Sequence, residues 1–207
     1  DGMVTNYLPD RKDARESALD FADVLSGLYD LLSERQAEAV KPDPATGCPD
    51  PAKQCRAKTS IIAHSMGNYL LQKAMQICWT RRNQPLLMSL INQLVMVAAD
   101  VDNDIFKSGE ATDKSDGDAI ANLSYRITAL YTGRDPVLGL SAGLKHFGKR
   151  RLGRSGLDRS FPTPDNVWDV DCTGLFPGHV SGVRVHSIYF EERKILRLMR
   201  ELLRGVD

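Results

Sequence analysis

The sequence lacks an excess of charge of either sign and lacks any long apolar run. Lys plus Arg and Asp plus Glu both number 27, so the formal net charge is zero and no overall field favours nucleic acid or an acidic membrane as a partner. No apolar run approaches the roughly 20 residues that span a bilayer, and residues 1–17 have no basic start followed by an apolar centre. We therefore expect a cytoplasmic protein without a membrane span or a nucleic-acid partner, although a signal sequence upstream of Asp1 stays open.

The cysteines do not have the spacing of a zinc site. Cys48, Cys55, Cys78 and Cys172 form no C-x-x-C pair and no zinc-like set with histidine, so neither a structural metal nor a cofactor is predicted. Cys48 and Cys55 share the proline-rich segment KPDPATGCPDPAKQC. A disulfide would staple this surface loop in an oxidising compartment, whereas a reducing compartment would leave two free thiols.

Hydrophobic periodicity predicts one α/β domain. With 207 residues and 42% hydrophobic content, the chain can bury a single substantial core. Apolar residues recur at helical spacing in segments around 14–39, 71–78, 84–92, 118–123 and 195–203. Short apolar runs predict strands at 58–63, 93–99, 125–132 and 167–171. This alternation is typical of a mostly parallel sheet flanked by helices, and the proline-rich 41–56 is predicted to be a loop.

The predicted sheet is short for a fold of this kind. An open parallel sheet rarely begins with a long helix and then shows only three or four strands. We therefore expect residues 1–207 to form a single domain whose first strands precede Asp1.

A serine between a predicted strand and a predicted helix is the main candidate for chemistry. Ser65 lies in Ala63-His64-Ser65-Met66-Gly67, directly after an apolar run. This pattern is close to the G-x-S-x-G elbow, where the flanking residues must be small because strand and helix backbones approach closely. Ala63 departs from the glycine of that pattern but is small. We interpret Ser65 as a nucleophile, with a serine helix cap as the alternative.

An attacking serine needs a base, and the base needs an acid that fixes its tautomer. On this fold they follow in the order serine, acid, histidine. Asp135, directly after a predicted strand, is the favoured acid, and the alternative interpretation of its GRDP context is a simple turn. His186 in RVHSIYF is the favoured base, with His179 as the alternative. His64 is expected to pack or hydrogen-bond beside the elbow, because neighbouring side chains on an extended segment point apart.

The oxyanion of an acyl-transfer intermediate needs two backbone N–H donors. One is expected from Met66, the residue after the nucleophile. The second should come from a loop after an earlier strand, and no such strand is visible in the sequence. The sequence therefore predicts one of the two donors of the oxyanion hole.

A cluster of aspartates follows the predicted strand at 93–99. Asp100 and Asp102 are alternatives for the triad acid or for ordering the rim of the site. Together with Asp104 they do not fit a calcium loop, because Ile105 stands where glycine is required and Ala111 where glutamate is required.

The strongest run of basic residues lies between positions 145 and 154. Such a run is typically a solvated face, and without interleaved aromatic residues it does not indicate a surface that binds single-stranded nucleic acid. Binding of an acidic substrate group is the functional alternative. The run consists of Lys145, His146, Lys149, Arg150, Arg151 and Arg154.

Five segments resemble a largely uncharacterised bacterial branch of the α/β-hydrolase superfamily, described as esterase/lipase-like. They are IIAHSMGNYLL, VMVAADVDNDIF, YTGRDPVLGLS, KRRLG and VHSIYF. The resemblance implies an A-H-S-M-G elbow at Ser65, an acid at Asp135 and a base at His186. The opening DGMVTNYLPD resembles the segment after an early strand in that family. The Cys48/Cys55 loop and the H-S-I-Y-F ending, one residue longer than the usual H-S-Y-F, depart from its pattern.

These features predict a serine hydrolase that cleaves a carboxylic ester or related acyl bond of a small molecule through an acyl-enzyme. The alternative is a non-catalytic binding module that retains the hydrolase fold, since fold alone does not establish activity. The acyl and alcohol groups of the substrate and the oligomeric state are not determined by the sequence.

Overall fold

The computed structural model describes residues 7–50, 52, 57–82, 89–107, 116–145 and 148–205. Within these ranges, strands alternate with helices. The strands are β1 (Ser60–His64), β2 (Ile91–Val97), β3 (Ser124–Tyr131) and β4 (Val167–Asp171). The helices are α1 (Tyr7–Glu16), α2 (Ala18–Ala39), α3 (Gly67–Arg82), α4 (Asp116–Leu123), α5 (Pro136–Lys145), α6 (Leu152–Ser155), α7 (Arg184–Ser187) and α8 (Arg193–Arg204).

The four strands form one parallel sheet in the order β1-β2-β3-β4. In the register of the sheet, His64 lies beside Val97 and Val97 beside Leu130, so neighbouring strands end at the same level. Because all the strands are parallel, the segments that follow them meet at one edge of the sheet, where α/β folds bind ligands. The predicted α/β fold class is confirmed.

Alternation along the strands divides the core into two layers. On β2, Leu94 and Met96 pack on one face, whereas Val95 and Val97 pack on the other. The first face is covered by α2, α3 and α4, and the second by α5, α7 and α8. With helices on both faces, β2 is buried almost throughout, which explains its continuous apolar sequence.

Two predicted helix boundaries need correction. The helix predicted over 14–39 is α2 from residue 18 onward, and a turn at Ser17 separates it from α1. The helix predicted over 84–92 is wrong at its end, because β2 already begins at Ile91. Asn92 N–H donates to the carbonyl of Thr59 at 2.7 Å, so pairing with the chain before β1 extends the strand through polar residues. Residues 83–88 lie outside the described residues.

The predicted loop at 41–56 is partly described. An isolated antiparallel bridge joins Pro42 and Pro49, and Cys48 is exposed, while Cys55 lies outside the described residues. In the described parts of the chain, no helix is both long and apolar enough to cross a bilayer. The same parts contain no group of three or more His, Cys, Asp or Glu side chains arranged to hold a metal ion.

Candidate active site

Ser65 occupies a strained turn between β1 and α3. Its φ is 52°, in the left-handed region that non-glycine residues adopt at a cost. The turn is held on both sides: Ser65 N–H donates to the carbonyl of Val97 at 3.0 Å, and Asp100 N–H donates to the carbonyl of Ser65 at 3.2 Å. Since β1 and β2 end at the same level, both contacts come directly from the sheet register. The geometry is that of an elbow, with the serine at its tip.

Asn68 supports this turn from beneath and was not singled out in the sequence. It is fully buried in the first turn of α3. Its Nδ2 donates to the carbonyls of Ala63 at 3.0 Å, Ser65 at 3.2 Å and Val97 at 3.4 Å. A polar side chain so deeply buried must be paired, and here it fixes three carbonyls around the elbow. The signal for it was an asparagine directly after Gly67, the glycine of the elbow pattern.

The structure brings Ser65, His186 and Asp135 into one hydrogen-bonded chain. Ser65 Oγ and His186 Nε2 are 2.7 Å apart, and His186 Nδ1 and Asp135 Oδ2 are 2.7 Å apart. The Asp135 carboxylate accepts a hydrogen bond from Nδ1–H, which leaves Nε2 unprotonated and able to accept a hydrogen bond from the serine hydroxyl. The Asp135 side chain is fully buried and the His186 side chain is 13% exposed. This arrangement can accept the hydroxyl proton when Ser65 attacks an electrophile.

Asp135 is held by the start of α5. Its Oδ1 accepts from the backbone N–H groups of Val137 at 2.9 Å and Leu138 at 3.1 Å, so the carboxylate caps the helix while Oδ2 faces His186. Pro136 at the first helical position suits this cap, because a proline there loses no helical hydrogen bond. Arg154 Nη1 also donates to the main-chain carbonyl of Asp135. The GRDP context therefore forms a turn that also directs the Asp135 carboxylate to His186.

The segment that carries His186 lies outside the sheet, and Arg134, in the loop between β3 and α5, holds it. Arg134 Nη2 donates to the main-chain carbonyl of Val180 and, at 3.5 Å, to that of Gly178. The hydroxyls of Thr132 and Thr173 are 3.1 Å apart, which joins the end of β3 to the turn after β4. The role of Arg134 had no signal in the sequence, because its contacts reach more than 40 positions along the chain.

His64 lies beside the base, as expected for a residue that hydrogen-bonds next to the elbow. Its Nε2–H donates to the main-chain carbonyl of His186 at 2.9 Å, and the two imidazole centroids are 4.9 Å apart. The Phe190 ring meets His64 edge-on at 5.3 Å. Burial lowers the pKa of His64, because desolvation disfavours the imidazolium more than the hydrogen bond to His186 favours it.

Asp100 and Asp102 are directed to Arg151 and not to the base. Arg151 is 1% exposed, and its Nε lies 2.9 Å from Asp100 Oδ1, while its Nη1 donates to Asp102. Ser141 Oγ donates to Asp100 at 2.9 Å, and Lys149 Nζ pairs with Asp102 at 3.2 Å. Among the described residues, neither aspartate contacts His186. The prediction of a solvated basic face is wrong for Arg151, because its guanidinium is buried and pairs with the buried Asp100 and the partly exposed Asp102.

The remaining candidates have different surroundings. His179 is exposed, and no hydrogen bond within the described part of the chain joins it to Ser65 or Asp135. Met66 follows the nucleophile, and in the same described part its N–H donates to no protein acceptor. It is therefore free to donate to a ligand. Burial raises the pKa of the Cys172 thiol to about 12 and also raises the pKa of Tyr189, so both stay neutral at pH 7.

The other members of the basic run are dispersed. Arg150 is exposed, Lys149 pairs with Asp102, and Arg154 contacts the acid turn. His146 and the side chain of Lys145 lie outside the described residues. The structure therefore gives the run no single role.

Comparison with known proteins gives one further finding. A family model described as "Alpha/beta hydrolase of unknown function (DUF900)" matches residues 51–163, more than half of the chain. The matched segment includes Ser65, Met66 and Asp135 and ends before His186. Searches of the curated proteins and of the solved structures returned no match.

Proposed function

The chain belongs to the alpha/beta hydrolase family of unknown function DUF900, and on that premise we propose that it is a serine hydrolase cleaving a carboxylic ester or related acyl bond. The observation that carries the proposal is the pair of 2.7 Å hydrogen bonds that joins Ser65, His186 and Asp135. We also propose that residues 1–207 act as one domain of the bacterial esterase/lipase-like type.

In the first half of the reaction, Ser65 Oγ attacks the acyl carbon and its proton passes to His186 Nε2. The Asp135 carboxylate stabilises the resulting imidazolium through Nδ1. Met66 N–H donates to the oxyanion of the tetrahedral intermediate. Collapse breaks the bond to the leaving alcohol, which takes the proton from Nε2, and leaves an acyl-serine.

In the second half, water attacks the acyl-serine and gives a proton to the same Nε2. The second tetrahedral intermediate collapses to the carboxylic acid, and Ser65 recovers its proton from His186. These steps use only water and groups of the protein. The Asp135 carboxylate is buried and accepts two backbone hydrogen bonds at the start of α5. It therefore keeps His186 in one tautomer throughout the reaction.

The nucleophile is tested by active-site labelling of the full-length protein. A fluorophosphonate probe should label the native protein, and Ser65→Ala should abolish the label. The exposed Ser155→Ala is the matched control and should label normally. A label that persists on Ser65→Ala would overturn the assignment of the nucleophile. No label on a folded native protein would favour a binding module with the hydrolase fold.

The acid is tested by Asp135→Asn against Asp100→Asn. An asparagine at 135 keeps an oxygen for the helix cap but presents an amide N–H to His186 Nδ1, so it forces the wrong tautomer. We expect a loss of about 10⁴ in kcat, with the fold retained by circular dichroism. If Asp100→Asn alone caused this loss, the acid role would move to Asp100.

Substrate class is tested with a panel of p-nitrophenyl esters of increasing acyl length and the matching anilides. Ser65-dependent hydrolysis of the esters, with no hydrolysis of the anilides, would assign a carboxylic ester hydrolase. The reverse preference would assign amide cleavage, which the same triad chemistry allows.

A further inference from the structure

We propose that His64 is a positioning residue whose ring, by hydrogen-bonding the main-chain carbonyl of His186, holds the base against the nucleophile elbow. This inference rests on the proposed serine-hydrolase function. Ser65 and the residue before it, His64, would then both hold His186: Ser65 contacts its ring, and His64 contacts its main-chain carbonyl. Ser65 Oγ contacts the ring at 2.7 Å, and His64 Nε2 contacts the carbonyl at 2.9 Å.

The base needs such a restraint because its segment is not part of the sheet. His186 lies on α7, a single four-residue turn that begins two residues after Gly182, whose φ is 62°. Ser65, by contrast, is held by the sheet register, and Asp135 is held by the α5 cap. Without a direct contact from the elbow to its main chain, the position of α7 would depend on packing, on the contacts of Arg134 with the preceding segment and on the hydrogen bond from the His186 ring to Asp135.

The ring of His64 is itself fixed between two groups of the base segment. The centroids of the His64 and His186 rings are 4.9 Å apart, with an angle of 48° between the ring planes. The Phe190 ring meets the His64 ring edge-on, at 85°. A carbonyl only accepts, so His64 Nε2 must carry the proton. The side chain therefore acts as a single N–H donor of defined reach at the end of β1, which the sheet holds in place.

Three substitutions at His64 distinguish a role as hydrogen-bond donor from a role in packing. In His64→Gln the amide nitrogen has the reach of imidazole Nε2, so the donor is retained. In His64→Asn the same amide is one methylene shorter and does not reach the carbonyl. His64→Leu retains apolar volume without any donor.

The three variants are compared with native protein in the full-length chain. We measure kcat and KM on p-nitrophenyl butyrate and the rate constant of fluorophosphonate labelling. A displacement of about 1 Å of a catalytic group costs on the order of 10²-fold in rate. We therefore expect His64→Leu and His64→Asn to lower kcat and the labelling rate by roughly 10- to 100-fold, with KM changed less than about twofold. His64→Gln should recover most of the loss.

Equal losses in His64→Gln and His64→Asn would overturn the proposal, since packing alone would then explain them. Native rates in His64→Leu would also overturn it. If His64→Leu does not fold, the Gln and Asn pair alone decides.

A readout independent of turnover separates this inference from the proposed function. The ¹⁵N–¹H signal of His186 Nδ1 reports its hydrogen bond to Asp135. We expect this signal in native protein and in His64→Gln, and its loss or broadening in His64→Asn. If native protein hydrolyses no ester but the signal is present in native protein and His64→Gln and lost in His64→Asn, the proposed function fails and the positioning role stands. If the signal is unchanged in His64→Asn, the positioning role fails.

Discussion

Replacement of Arg151 by methionine is expected to be among the most destabilising single changes at the edge of the site. The guanidinium and the Asp100 carboxylate are 1% and 3% exposed, and they lie 2.9 Å apart. Methionine keeps most of the buried stem, so the main loss is the charge partner of a desolvated carboxylate. Breaking a buried pair from one side costs about 3–5 kcal/mol, because the carboxylate loses its counter-charge while it stays buried. With an m-value of about 2 kcal/mol per M, the urea midpoint should fall by roughly 2 M.

Equilibrium urea unfolding followed by circular dichroism measures this effect. Arg151→Met combined with Asp100→Asn should recover at least half of the loss, since no uncompensated charge remains and Ser141 still has an acceptor. Lys149→Met is the matched control, because Lys149 is half exposed and pairs with the accessible Asp102. It should cost less than about 1 kcal/mol. A loss in Arg151→Met no larger than in this control would refute the reasoning.

Three further predictions concern single positions. A Cβ at Gly153 would overlap the backbone of Ala98 and Ala99, so Gly153→Ala should lower the urea midpoint strongly, whereas the open Gly143→Ala should not. The pKa of His64 lies below its ordinary value of 6.5, so below about pH 6.5 the unfolded chain binds a proton that the folded chain does not, and the free energy of unfolding falls. His64→Gln should therefore make stability less dependent on pH between 7 and 5, and an unchanged slope would contradict this. Iodoacetamide at pH 8 should modify exposed Cys48 and spare Cys172 until denaturation, as read by peptide mass spectrometry.

The elements of the sheet were predictable because their signals are local. Buried parallel strands appear as short apolar runs, and helices as apolar residues at a period of 3.6, so the pattern near Leu94 or Ile195 needs no distant partner to be recognised. The prediction failed at Asn92, where pairing with the chain before β1 makes a strand from polar residues. That pairing is a tertiary contact, and local periodicity does not contain it.

The elbow was also a local prediction, since a small-residue pattern between a strand and a helix is contiguous in sequence. The roles of the polar residues around it were not. Asp100 and Asp135 both follow predicted strands, and the sequence favoured Asp135 as the acid while Asp100 stayed an alternative. Only the fold decides that Asp100 faces Arg151 and that Asp135 faces His186.

The sequence by itself therefore determined the parallel α/β architecture and the serine at its elbow, because periodicity and turn chemistry act over neighbouring residues. The tertiary structure decided which charges are buried together, which carboxylate reaches the histidine, and that His64 contacts the carbonyl of His186. The physical reason is convergence. Parallel strands bring residues more than 100 positions apart to one edge of the sheet, and at that edge the contacts depend on distances that no local pattern specifies.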